Sequence, residues 1–137
     1  MSINREFSMA DAMTTMFGHL MEPIVNIIGA KLVSATKDGD KIVIVTDKGT
    51  LTGDPDGDCC SSSWVESVEC DAPAGSVFQD KILVDDPERP VPEWHDGCER
   101  KVYFGTLFTD RGRVTWEMRN ESNGYYGGWL NWSWSPS

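Results

Sequence analysis

Only two histidines, His19 and His95, occur in the 137 residues. Chemistry that depends on imidazole as base or metal ligand therefore has little to draw on. Basic residues are scarce as well: 12 Lys and Arg face 22 Asp and Glu, for a net charge of -10. That balance opposes nonspecific attraction to nucleic acid or to an anionic membrane. No apolar run approaches the roughly 20 residues that a spanning helix needs. Met1 to Ile28 lacks a basic region followed by a long apolar block, so no secretory leader is expected and the expected setting is cytoplasmic. The four cysteines, Cys59, Cys60, Cys70 and Cys98, would be reduced thiols there. Gly-x-Ser-x-Gly, His-Glu-x-x-His, Gly-x-x-x-x-Gly-Lys and the dinucleotide fingerprint are all missing. The chain reads as non-enzymatic, with no cofactor.

One domain is expected over residues 1–137, long enough to bury a core. Six tryptophans must be buried or used in contacts. Residues 1–22 read as a helical lead-in. Ser8 can cap it with Asp11 three residues on, and Met9, Met13, Met16, Phe17, Leu20 and Met21 keep helical spacing up to Pro23. Residues 28–134 read as a sheet core. Strands are expected at Ala30–Thr36 and Lys41–Asp47 around an Asp38-Gly39 hairpin turn. Further strands follow at Thr50–Gly53, Lys81–Val84, Lys101–Thr109, Arg113–Arg119 and Tyr125–Trp134. In the last, Tyr126, Leu130, Trp132 and Trp134 share a face, and Gly127-Gly128 suggests a bulge or a close backbone approach. Ser63 with Glu66 at capping-box spacing predicts a short helix. Pro87, Pro90 and Pro92 among acids mark residues 85–97 as an acidic surface loop. The expected fold class is α+β: a mostly antiparallel, twisted β-sheet with an N-terminal helix and a short helix after the Cys-Cys segment. No internal repeat is evident.

The densest chemistry lies between Asp54 and Val68. Asp54-Pro55-Asp56-Gly57-Asp58 has the alternating carboxylates of a calcium loop. Cys59 falls where that loop needs glycine and Val65 where it needs glutamate, so an acidic β-turn is the plainer reading. Adjacent Cys59 and Cys60 point to opposite faces of an extended chain and cannot easily share a metal. His95-x-x-Cys98 has knuckle-like spacing but no second paired motif to complete a zinc site. No metal ligands are assigned.

Gly57-Asp58-Cys59-Cys60-Ser61-Ser62-Ser63-Trp64, with Arg119-Asn120-Glu121-Ser122-Asn123-Gly124-Tyr125-Tyr126-Gly127-Gly128 much later, resembles a family of short, uncharacterised proteins of bacteriophages and prophages. In that family a hairpin leads into a G-D-C-C-S segment and a sheet ends in an S-N-G-Y-Y-G-G segment. The resemblance implies a phage or prophage setting in a host bacterial cytoplasm, with accessory or counter-defence roles. Because the two segments occur together, Asp58, Cys59, Cys60 and Trp64 are expected to meet Asn123, Gly124, Tyr125 and Tyr126 in one structural or ligand-binding corner. Such a corner could sequester a small ligand.

Charge suggests a different surface. Asp54 to Glu99 holds thirteen acids against two bases, Lys81 and Arg89, so this span carries the whole imbalance. Asp85, Asp86, Glu88, Glu93 and Asp96 are the candidate contacts for a host protein with a basic surface. An acidic face of this kind would act as a nucleic-acid mimic, with no direct nucleic-acid or membrane binding. The aromatic last strand, at an expected sheet edge, admits a homodimer.

Overall fold

The computed structural model describes residues 4–7, 22–57, 61–85, 91–95, 98–122 and 128–137. They form ten strands: β1 (Asn4–Phe7), β2 (Leu32–Asp38), β3 (Lys41–Thr46), β4 (Gly49–Gly57), β5 (Ser62–Cys70), β6 (Phe78–Asp85), β7 (Val91–His95), β8 (Cys98–Thr109), β9 (Gly112–Ser122) and β10 (Gly128–Pro136). A short 3-10 segment, Glu22–Ile27, precedes β2. One sheet runs β10-β4-β3-β2; the other runs β1-β6-β8-β9-β5, with β7 also paired to β8. Every pairing is antiparallel. No described helix reaches seven residues, and none is long and apolar enough to cross a membrane. The described residues form an all-β sandwich, and the α+β expectation is overturned.

Alternation builds the core. Ile42, Ile44 and Leu51 from one sheet meet Val65, Ile82, Leu107, Val114, Trp116 and Met118 from the other. Leu130 and Trp132 of β10 join them, and Trp134 packs against their edge. Ile24 and Ile27 of the 3-10 segment are fully buried and close one side. Burying side chains of this size contributes about 1.5–3 kcal/mol each.

Three local expectations fail for identifiable reasons. The helix after the Cys-Cys pair is strand β5. Its register against β9 shifts between Val65 and Ser67, so Glu66 is bulged and Val65 and Val68 both fall opposite core residues, Met118 and Trp116. A bulge thus turns strand period into the i, i+3 spacing of a helix. The acidic loop 85–97 contains β7, paired residue for residue with β8 from Val91↔Val102 to His95↔Cys98. Pro92 fits there because β7 has a described partner on one side only. The acidic turn Asp54–Gly57 is the continuation of β4. β3 stops pairing with β4 at Gly53, so Pro55 has no partner on that side to deprive of a hydrogen bond. The expected N-terminal helix over Ser8–Met21 lies outside the described residues, while Asn4–Phe7 within the lead-in is strand β1.

The fold is internally repeated. β2-β3-β4-β5 and β6-β8-β9-β10 follow one plan, and each half gives its fourth strand to the other half's sheet: β5 pairs with β9, and β10 with β4. The third-strand turns match, Thr46-Asp47-Lys48-Gly49 against Thr109-Asp110-Arg111-Gly112. Thr46 Oγ1 donates to Gly49 O at 2.7 Å and accepts from Lys48 N at 3.2 Å. Thr109 Oγ1 donates to Gly112 O at 2.9 Å and accepts from Arg111 N at 3.2 Å. The two aspartates receive Lys31 N and Val77 N, each at 2.8 Å, and those two residues form the bridge that ties the sheets together. Trp64 Nε1 donates to Glu66 in β5, as Trp129 Nε1 does to Asn131 in β10. A pseudo-two-fold axis therefore relates the halves. Side-chain identity has diverged too far for the repeat to be visible in the sequence alone.

Candidate functional site

β4 is followed in the chain by β5 and β9 by β10, and in both cases the two strands belong to different sheets. Gly57 at the end of β4 faces Gly128 at the start of β10. Beyond the crossing, Ser62 and Ser63 of β5 face Glu121 and Asn120 of β9. One antiparallel ribbon, β4 with β10, thus turns a corner to become another, β5 with β9. Gly57, Ser61 to Ser63 and Trp64 of the first segment singled out in the sequence, and Arg119 to Ser122 and Gly128 of the second, are the described residues of this corner. Asp58, Cys59, Cys60, Asn123, Gly124, Tyr125 and Tyr126 lie outside the described residues, but both their flanks belong to it.

The inner side of the corner is polar and tightly packed. Asn120 is completely buried and Ser122 nearly so. Asn120 Nδ2 donates to Ser63 Oγ at 2.8 Å. A β-carbon on Gly57 would lie 2.7 Å from Ser61 Oγ, 2.9 Å from Ser63 Oγ and 3.0 Å from Asn120 Nδ2. One on Gly128 would press into Ser63 Oγ and lie 3.0 Å from Asn120 Nδ2. Gly128 N also donates to the Tyr103 hydroxyl at 3.3 Å. Glycine is needed at both positions because the backbone itself makes the contact. Among the described residues, Asn120 Oδ1 is buried without a hydrogen-bond partner. Turning the amide over would not change that, since the serine hydroxyl engages only one end of it.

Sequence reasoning missed Asn120, which it placed in a turn. Its signal was the phase of β9: Val114, Trp116 and Met118 point inward, and the next two residues in step are Asn120 and Ser122.

The remaining candidates are dispersed. Trp64 belongs to the outer face of β5, with its ring 5.7 Å from the Arg100 guanidinium and its Nε1 2.9 Å from Glu66. Arg100 pairs with Glu121 at 3.1 Å and Arg119 with Glu117 at 2.6 Å, which completes a charged ladder across β5, β9 and β8. Asp85 ends β6, and Glu93 sits on β7 opposite Arg100 in the register. Asp86, Glu88 and Asp96 lie outside the described residues. Of the other acids in the span, Asp54 pairs with Lys41 at 3.4 Å, Asp56 bonds Gly57 N and Asn131, and Asp71 accepts from Arg113 N. Asp54 and Asp56 sit on β4, and Asp71 follows β5 of the other sheet. Cys70 pairs with Val114, which pairs with Leu107, nine residues along β8 from Cys98. At about 3.3 Å per strand residue that is about 30 Å, so one zinc ion cannot hold both thiols. No cluster of metal-ligating residues occurs among the described residues.

Fold and corner together define a two-sheet antiparallel β-sandwich whose halves exchange strands. Residues 25–132 match the model of a domain of unknown function, DUF7448, and the chain belongs to that family. It is also similar to the uncharacterised protein L278 of Acanthamoeba polyphaga mimivirus, with 33% identity over 101 residues, 69% of this chain and 70% of the viral protein. The family is thus uncharacterised, with a viral member among its relatives. No solved structure matches.

Proposed function

We propose that this is a non-catalytic accessory protein of viral type that binds a host protein through the corner of the ribbon. One observation carries the reading: the two crossings leave from a single base locked by Gly57, Gly128, Ser63 and Asn120. Segments that leave a rigid base are a common way of building a recognition surface. The residues between these strand ends include two thiols, two tyrosines and an aspartate, a mixture suited to a protein partner. Tyrosine is enriched in such interfaces because it brings area and a polar tip at little entropic cost. A counter-defence role in the host cytoplasm is compatible with this reading and with the viral relative. Small-ligand sequestration near the Cys-Cys and Asn-Gly-Tyr-Tyr segments is the alternative reading.

The competing surface is the acidic group Asp85, Asp86, Glu88, Glu93 and Asp96, and the two readings separate by mutation. Replacing Asp58, Tyr125 and Tyr126 with Ser is expected to leave thermal unfolding unchanged and to abolish capture of the host protein that the wild type retains. Asp85→Asn, Asp86→Asn and Glu88→Gln together should keep that capture intact at low and high salt. If the acid-neutralised variant loses the partner, and raised salt weakens the wild-type complex, an acidic mimic is at work and the corner reading fails.

A further inference from the structure

The two sheets present different outer faces. In the sheet β10-β4-β3-β2, alternation turns Ile42, Ile44, Leu51 and Trp132 into the core and their neighbours outward. The register sets those neighbours in rows across the four strands. One row is Ser34, Val45, Thr50 and Ser135, and the next is Thr36, Val43, Thr52 and Ser133. A third holds Asp38, Lys41, Asp54 and Asn131, with Lys41 Nζ 3.4 Å from Asp54. The first two rows carry no charge, whereas the outer face of the other sheet bears the ladder of Arg100, Glu121, Arg119 and Glu117. The face is open to solvent. Ser34, Thr36, Ser133 and Ser135 at its margins are exposed, and Lys41 and Asp54 keep 52% and 46% of their side-chain surface. The 3-10 segment meets this sheet from the core side, through Ile24 and Ile27.

We infer that two copies of this chain meet through this face, sheet on sheet, about a two-fold axis that runs parallel to the strands between β3 and β4. Self-complementarity selects the occupant. The axis lays β4 over the partner's β3 and β10 over the partner's β2, and each row faces its own copy. Lys41 then faces the partner's Asp54, and Asp54 the partner's Lys41. Asp38 faces the partner's Asn131, a carboxylate against an amide donor. Val43 and Val45 face the methyl groups of the partner's Thr52 and Thr50. No charge on the face meets its like. Elsewhere two copies that each carry -10 repel. Aligned stacking of this kind is how sheets pack face to face, and the interface is isologous. Four strands about 4.8 Å apart and seven residues of about 3.3 Å cover about 440 Å². That is short of the roughly 800 Å² per partner of a long-lived complex, so monomer and dimer exchange.

The test uses the full chain. Between micromolar and millimolar concentration, sedimentation equilibrium should give a mass that climbs from the 15.3 kDa of one chain toward twice that value. Lys41→Asp sets acid against the partner's Asp54, and Asp54→Lys sets base against the partner's Lys41, so each variant alone should stay monomeric. Mixed one to one, the two variants restore opposite charges at both places and should associate. A wild type that remains a monomer at millimolar concentration overturns the inference. So does a dimer that survives either substitution, which would place the interface elsewhere, and so does a mixture that fails to associate. Should a variant misfold, the wild type decides the matter. Its Val43 and Val45 methyl resonances should shift as concentration rises while those of buried Val114 stay put. Val43 and Val45 signals unmoved by dilution overturn the inference equally.

Discussion

Asn120→Asp is expected to fold in acid and to lose stability as the pH rises. The side chain is fully buried, and its one described partner is a serine hydroxyl. Aspartate has nearly the same shape, so packing is preserved and the change is electrostatic. A buried carboxylate resists ionisation, which raises its folded-state pKa above the unfolded value of about 3.9. The folded state then holds its proton longer than the unfolded state does. Stability relative to wild type is therefore retained below about pH 3.9 and falls as pH climbs toward the raised folded value. At neutral pH an uncompensated buried charge costs about 3–5 kcal/mol, a large share of the 5–15 kcal/mol typical of a domain. Urea unfolding at pH 4 and pH 7, with wild type alongside, measures it. Equal differences from wild type at the two pH values would mean that water reaches the corner and that its base is not rigid.

The second large effect is expected at Gly105. Gly105 of β8 stands opposite Trp116 of β9, and a β-carbon there would drive into the indole. Trp116 cannot retreat, because Trp132 packs edge-on against it with ring centroids 5.1 Å apart. Gly105→Ala should therefore destabilise by about 1–3 kcal/mol through overpacking. Trp116→Leu opens the space at its own cost of a few kcal/mol. In that background the alanine should cost almost nothing, leaving a coupling of about 0.5–3 kcal/mol in a double-mutant cycle followed by circular dichroism. Additive losses would show that the indole is not held against the glycine.

These residues also show what the sequence made legible. Alternation in Val114–Met118 and Leu130–Trp134 gave away the inward faces, because nothing interrupts the period there, whereas Ile42 to Val45 is apolar on both faces and only the structure singles out Ile42 and Ile44 as buried. Asp38-Gly39 gave away its hairpin, and Gly39 does adopt a positive φ of 61°. Reading failed where a local irregularity imitates another element. Ser63 and Glu66 keep capping-box spacing on a bulged strand, and proline and aspartate disguised the end of β4 and all of β7. The dipeptide Asp96-Gly97 between His95 and Cys98 was an overlooked hairpin signal. For the candidate site, the glycine pair hinted at a close backbone approach, and Gly128 makes one with Ser63 and Asn120. What lay opposite it was hidden, because pairing across the corner depends on residues far apart in sequence.

The exchanged strands have a consequence for how the molecule comes apart. Neither sheet is complete without a strand from the other half, so neither half can melt while its twin stays intact. Pulling β10 from β4 removes Leu130 and Trp132 from the core that β5 and β9 share. The repeat looks modular, yet its parts are joined as two hands with interlocked fingers are joined, and loosening one frees both. Cooperativity is thereby written into the topology. A lesion in the packed base of the corner, at Gly57, Gly128 or Asn120, is felt throughout the molecule.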